Sequence, residues 1–143
     1  MRNVWFEAKY VCFLALAGYI CYTLYSTIFA RNANTIYRYE VLPFWSYIEI
    51  LDGKTKLIKE NLLNVLLFVP IGFLLSFINT KRKMWKIALF GFGLSFCIEL
   101  TQLIAKRGFC EFDDLFHNTL GCLLGYVLVK VFTRLCVIIR WRN

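Results

Sequence analysis

The sequence predicts an all-α, polytopic membrane protein. The expected architecture is a four-transmembrane-helix bundle, N-in and C-in, with an interfacial loop between helices one and two. Three observations carry this reading. First, the chain of 143 residues is 59% hydrophobic and 18% aromatic, with a mean hydropathy of +0.59. A soluble domain of that length cannot hide so much apolar surface, so the expected solvent is lipid. Second, the apolar residues gather into four stretches, each close to the ~20 residues that cross a bilayer. Third, the formal charge of +8 comes from short basic clusters beside those stretches. Such clusters act as topology signals and meet anionic headgroups, so no nucleic-acid partner is expected.

Helix one spans roughly Tyr10–Ala30. It is longer than the apolar core of a secretion signal and no A-x-A cleavage site follows it, which predicts a retained signal-anchor helix. Helix two, roughly Asn61–Ile78, opens on polar residues. Helix three is roughly Trp85–Ile104 and helix four roughly Asp114–Ile139. No repeat or low-complexity segment divides the chain, so residues 1–143 read as a single transmembrane domain.

The longest connection, Arg31–Glu60, contains Leu42-Pro43-Phe44-Trp45-Ser46-Tyr47. Trp and Tyr favour the membrane–water boundary, Pro43 blocks a regular helix through its position, and Asp52-Gly53 marks a turn. The loop is expected on the membrane surface, with a short interfacial helix. Orientation follows from Lys and Arg in short segments. Lys81, Arg82, Lys83 and Lys86 form the strongest cluster, joined on the inner side by Arg2, Lys9, Arg134, Arg140 and Arg142, with Glu7 the only acid. The other side carries Arg31, Arg38, Lys54, Lys56, Lys59, Lys106 and Arg107, mixed with most of the acids.

Six cysteines invite a disulfide reading, but Cys12, Cys21, Cys97 and Cys122 lie inside apolar stretches and Cys136 near the end of the last. Cys110 alone falls in a loop. With no C-x-x-C or Cys/His ligand spacing, neither a disulfide framework nor a structural metal is expected, and no cofactor is implied.

Polar groups inside hydrocarbon are costly, about 2.5–3.5 kcal/mol for an ionised Asp, Lys or Arg at a helix centre. Their positions therefore carry information. Asn61, Asn64 and Phe68 share a face of helix two, followed by Pro70-x-Gly72, where Pro70 is expected to kink the helix. Ser95, Glu99 and Gln102 of helix three fall within an arc of about 60°. Asp114, Asn118, Gly121 and Gly125 form one stripe on helix four, with Asp113 just before it and His117 about 60° off it. All three polar stripes lie at one end of the bundle, the outer end in the N-in orientation. Arg107 follows helix three closely enough to reach back to Glu99, and Gln102 and Asn64 are further candidate partners for that carboxylate.

Candidate ligand-binding residues are therefore Asn61, Asn64, Ser95, Glu99, Gln102, Arg107, Asp113, Asp114 and Asn118. The same residues admit a purely structural reading. Asn, Gln and Ser join membrane helices, Gly121-x-x-x-Gly125 and Gly91-x-x-x-Ser95 are small-residue packing patterns, and Asp113 and Asp114 suit a helix N-terminus.

These pieces, in this order, resemble the VanZ-like family. They are Leu42-Pro43-Phe44, the run Asn61–Phe73 with Asn61, Asn64, Pro70 and Gly72, then Ser95-x-x-x-Glu99-x-x-Gln102, Arg107, and Asp113-Asp114-x-x-x-Asn118-Thr119-x-Gly121-x-x-x-Gly125-Tyr126. The likeness runs from about Leu42 to Tyr126, and helix one adds nothing to it. Arg38-Tyr39-Glu40-Val41 departs from the more polar lead, such as Asn, that the family often has there. The resemblance implies a cell-envelope role in resistance to lipid-bearing glycopeptides such as teicoplanin.

Three readings stay open from the residues. The first is an outward polar site in the plasma membrane that binds a membrane lipid or lipid-linked ligand, including a lipoglycopeptide. The second is a membrane enzyme acting on such a lipid or on a peptidoglycan precursor, with Glu99 and Asp114 as catalytic candidates: Glu99 as general acid or base, Arg107 and Asn118 holding an anionic or polar group, and Asp113 and Asp114 positioning a metal or water. The third is a structural helix bundle. Oligomeric state is not specified by the sequence.

Overall fold

The computed structural model describes the backbone of residues 2–142 and the side chains of residues 7–137. Arg2, Arg140 and Arg142, used above for orientation, lie outside the described side chains. Helix α1 spans Arg2–Leu24 and continues into a π-helical turn, Tyr25–Phe29. A two-residue strand β1 (Tyr39–Glu40) precedes a short helix α2 (Trp45–Leu51). Helices α3 (Lys56–Ile78) and α4 (Met84–Ala105) follow, then β2 (Cys110–Glu111) and α5 (Phe112–Arg142). Four helical segments are long and apolar enough to cross a membrane: Glu7–Phe29, Lys56–Ile78, Met84–Ala105 and Phe112–Val137.

The expected helices are all present, with shifted starts. Helix α3 begins at Lys56 rather than Asn61, because a polar first turn stays helical: Lys56 pairs with Glu60 four residues on, at 3.4 Å. Helix α5 begins at Phe112 rather than Asp114, which places both aspartates in its first turn. Helix α3 continues through Pro70. The short helix expected in the long loop is α2.

Small residues set the closest packing. A Cβ on Gly121 would lie 2.2 Å from the Val65 carbonyl oxygen, one on Gly125 2.2 Å from that of Val69, and one on Gly72 2.0 Å from that of Cys122. Helices α3 and α5 thus touch backbone to backbone, the contact that small-x-x-x-small patterns permit. Gly91 of α4 rests on the Cys122 side chain. Helix α1 leans on α3, where the Tyr19 hydroxyl donates to the Leu67 carbonyl at 3.1 Å. Leu16, Phe68, Ile71, Leu75, Ile87 and Ile98 fill the core. Leu62, Leu66, Leu89, Phe96, Leu120 and Leu128 face outward, as expected where lipid is the solvent.

One short strand pairing accompanies the helices. Strands β1 and β2 pair in parallel, Tyr39 with Cys110 and Glu40 with Glu111, and Ala33 bridges to Arg107. The first part of the 31–60 loop is therefore clasped onto the α4–α5 loop.

Candidate functional site

The polar stripes of α3, α4 and α5 do meet at one end of the bundle. Asn61, Ser95, Glu99, Gln102, Asp113, Asp114, His117 and Asn118 are all buried there. Groups in such a setting must find partners inside the protein, and most do.

Asp113 is 1% exposed and does not cap its own helix. One carboxylate oxygen accepts the Phe44 N–H at 2.6 Å. The other accepts the Ser46 N–H at 3.0 Å and the Ser46 hydroxyl at 2.6 Å. It thus serves the N-terminus of α2, where unpaired backbone donors and the helix dipole favour a negative charge. Phe44 sits at φ 63°, a left-handed backbone that costs a non-glycine residue about 1–2 kcal/mol. The carboxylate and the stacking of Phe44 on Phe116, 5.4 Å between ring centroids, hold it there. Asn61 extends the network, its Nδ2 donating to the Ser46 hydroxyl oxygen at 3.1 Å.

Asp114 accepts from Asn64 Nδ2 at 2.6 Å, a bond made possible by the glycine contact between α3 and α5. The same Asp114 oxygen lies 4.0 Å from His117 Nδ1. His117 Nε2 is 2.9 Å from the Tyr47 hydroxyl, so α2 is fastened to α5 twice. Asn118 donates to the Ser95 hydroxyl oxygen at 2.8 Å, and that hydroxyl donates to the Asp114 carbonyl at 3.4 Å.

Glu99 is paired differently from the sequence expectation. Its Oε2 accepts the Glu111 N–H at 2.9 Å. Arg107 does not reach it. Helix α4 ends on Lys106 in a left-handed conformation, φ 53°, which turns the chain away. Arg107 instead donates to the carbonyls of Phe29 at 3.0 Å and Arg31 at 3.4 Å, acceptors left open where the first helix ends. Gln102 turns the same way, donating to the Thr27 carbonyl at 2.8 Å. Asn64 is spent on Asp114. None of the three expected partners of Glu99 is its partner, and the C-terminus of the first spanning helix takes two of them.

Beside this buried network opens a cleft of about 860 Å³. Asn61, Asn64 and Asp114 line it, whereas Glu99, Ser95, Gln102, Arg107, Asp113 and Asn118 do not. The other lining groups include Arg31, Arg38, Trp45, Glu60 and Glu111, which sequence reasoning did not single out. Arg31 and Arg38 had been counted only as loop charges. Their position follows from the clasp: Asn34 donates to the Gly108 carbonyl at 2.5 Å, its N–H to the Lys106 carbonyl at 2.7 Å, and Cys110 N–H to the Arg38 carbonyl at 3.1 Å. The Arg38 guanidinium lies 5.4 Å from the Phe109 ring centre, a cation–π contact. Gly108, φ 78°, leaves room for Arg31, whose Cδ would be 2.6 Å from an added Cβ.

Burial pushes the Glu111 carboxyl up to about 8, Asp114, Glu99 and Glu60 adding to the rise and Arg31 opposing it. Burial and the Glu99 carboxylate push the Cys110 thiol up to about 11. All six cysteines are free. Among the described residues, no group of three or more His, Cys, Asp or Glu is placed to hold a metal ion.

Comparison with protein families finds one matching model, VanZ/LLP1, over residues 10–133. The match includes the first spanning helix, beyond the Leu42–Tyr126 span expected from the motifs. This accords with the bonds that Arg107 and Gln102 make to that helix. No curated protein and no solved structure matches the chain.

Proposed function

The chain belongs to the VanZ/LLP1 family, a family of membrane proteins linked to glycopeptide resistance, and from that premise we propose that its polar cleft binds a lipid or lipid-linked ligand. It lies in the plasma membrane as a multi-pass protein with the cleft on the outer face, and it confers or modulates resistance to lipid-bearing glycopeptides. One observation carries the binding reading. The cleft combines charged walls with an apolar lip, since Leu63 lines it and both Leu63 and its neighbour Leu66 are exposed on the lipid-facing side of α3. A ligand with a polar head and an acyl tail would meet both surfaces.

The enzyme reading loses its central residue. A general acid or base must reach the proton it transfers. Glu99 faces β2, occupied by the Glu111 N–H, and does not line the cleft. Asp114 does line it, but among the described residues no activated nucleophile stands beside it.

The test compares a glycopeptide-susceptible host with and without the chain. Expression is expected to raise the inhibitory concentration of an acylated glycopeptide and to leave that of a non-acylated one unchanged. Arg31→Gln with Arg38→Gln, at normal abundance, is expected to abolish the rise. Equal effects on both antibiotics would sink the reading. The outward face is tested by cysteine labelling. Cys110 is a poor reporter, because a thiol pushed up to about 11 holds little reactive thiolate near neutral pH. Thr55→Cys, at an exposed position between α2 and α3, should react with an impermeant maleimide on intact cells. Reaction only after permeabilisation would place the cleft inside.

A further inference from the structure

Several charges around the cleft are already matched. Lys54 pairs with Glu49 and Lys56 with Glu60. Arg31 and Arg38, on the loop after the first helix, have no carboxylate within 4.0 Å among the described residues. On the α5 side stand Asp114 and Glu111. One Asp114 oxygen takes the Asn64 amide, and the other has no protein donor among the described residues. The cleft thus sets two cations against the Asp114 carboxylate and the Glu111 carboxyl, which burial keeps largely protonated near neutral pH until a cation approaches it.

Trp45 also lines the cleft, but its indole N–H is screened from solvent and so is not presented to it. Arg–phosphate pairs are strong and geometrically specific. A purely anionic headgroup would place its other oxygens against the two acids, and a purely cationic one would face two guanidinium groups. A group bearing both charges satisfies both walls.

We propose that the cleft recognises a phosphoethanolamine headgroup, its phosphate held by Arg31 and Arg38 and its ammonium by Asp114 and Glu111. This rests on the reading that the cleft binds a lipid. The acyl chains leave along Leu63 and Leu66 into the bilayer. Binding of the ammonium would also draw Glu111, whose carboxyl is pushed up to about 8, toward its ionised form.

The experiment titrates the purified full chain in detergent with short-chain phosphatidylethanolamine, short-chain phosphatidylglycerol and free phosphoethanolamine. Phosphatidylethanolamine is expected to bind about tenfold or more tightly than phosphatidylglycerol, the worth of one charged hydrogen bond. R31Q/R38Q should weaken phosphatidylethanolamine about tenfold or more. D114N, or E111Q where D114N fails to fold, should erase the preference while phosphatidylglycerol binding persists. Equal affinity for the two lipids, or wild-type affinity in R31Q/R38Q, overturns the inference. So does free phosphoethanolamine binding as tightly as the lipid, which would make the ligand a soluble zwitterion. If antibiotic protection depends on the cleft without any headgroup preference, this inference alone falls. If the preference is found without protection, only the resistance reading falls.

Discussion

Removing the Asp113 carboxylate should release α2 while leaving the four spanning helices in place. In Asp113→Ala, three hydrogen bonds at 2.6, 3.0 and 2.6 Å disappear together. Bonds to an ionised group contribute about 1.5–3 kcal/mol each, but these three share one carboxylate and are not additive. Phe44 is exposed and its N–H can turn to water, whereas Ser46 is fully buried and its groups cannot. The net cost is therefore about 3–5 kcal/mol, dominated by Ser46. Phe44 also loses one of the two contacts that hold it left-handed, leaving the ~1–2 kcal/mol of that backbone opposed only by its stacking on Phe116. Asp113→Asn is the informative companion: its amide oxygen can still accept from Phe44, but its NH2 faces the Ser46 N–H, donor against donor. Hydrogen–deuterium exchange in detergent reads the outcome. Amides of residues 44–51 should lose protection strongly in Asp113→Ala and partly in Asp113→Asn, with those of α3 and α4 unchanged. Unchanged protection of α2 in Asp113→Ala would refute the claim that this carboxylate anchors it.

Gly125→Ala places a methyl group 2.2 Å from the Val69 carbonyl oxygen and 2.4 Å from the Phe73 nitrogen. Backbone atoms cannot swing aside, so a loss of at least about 1–3 kcal/mol is expected. Thermal unfolding should show it, with Gly93→Ala, which meets nothing within 4 Å, as an unaffected control. Glu111 predicts a pH dependence. Its folded-state value of about 8 stands above the ordinary 4.5, so the folded protein holds the proton more tightly than the unfolded chain. Its contribution favours folding at low pH and is lost as pH rises from about 4.5 to about 8. Unfolding midpoints at pH 5 and pH 9 should converge in Glu111→Gln relative to the parent, and an unchanged gap would count against the buried carboxyl.

What the sequence made legible was position along each helix. The spacing of Ser95, Glu99 and Gln102, and of Asp114 and Asn118, put their side chains on single faces, and burial of the stripes at one end follows from the cost of polar groups in lipid. Pairing across helices was not legible. Gln102 and Arg107 were expected near Glu99 because they are near it in sequence. The left-handed Lys106 and the open carbonyls of Thr27, Phe29 and Arg31 decide otherwise, and neither leaves a sequence pattern. Arg31 and Arg38 were hidden for a similar reason. A loop arginine looks like a topology signal until a two-residue strand pairing carries it over the mouth of a cleft.

That strand pairing also bears on how the protein is made. Part of the cleft wall comes from Arg31 and Arg38 and part from Gly108, Phe109 and Glu111, separated in sequence by two spanning helices. No partly synthesised chain lacking β2 can join these parts, however well α1 and α3 have inserted. Arg31 and Arg38 take their places over the cleft only when the last loop arrives and β2 pairs with β1. The cleft is thus a product of completed assembly, and a ligand that bound it would select chains whose four helices have all reached their final places.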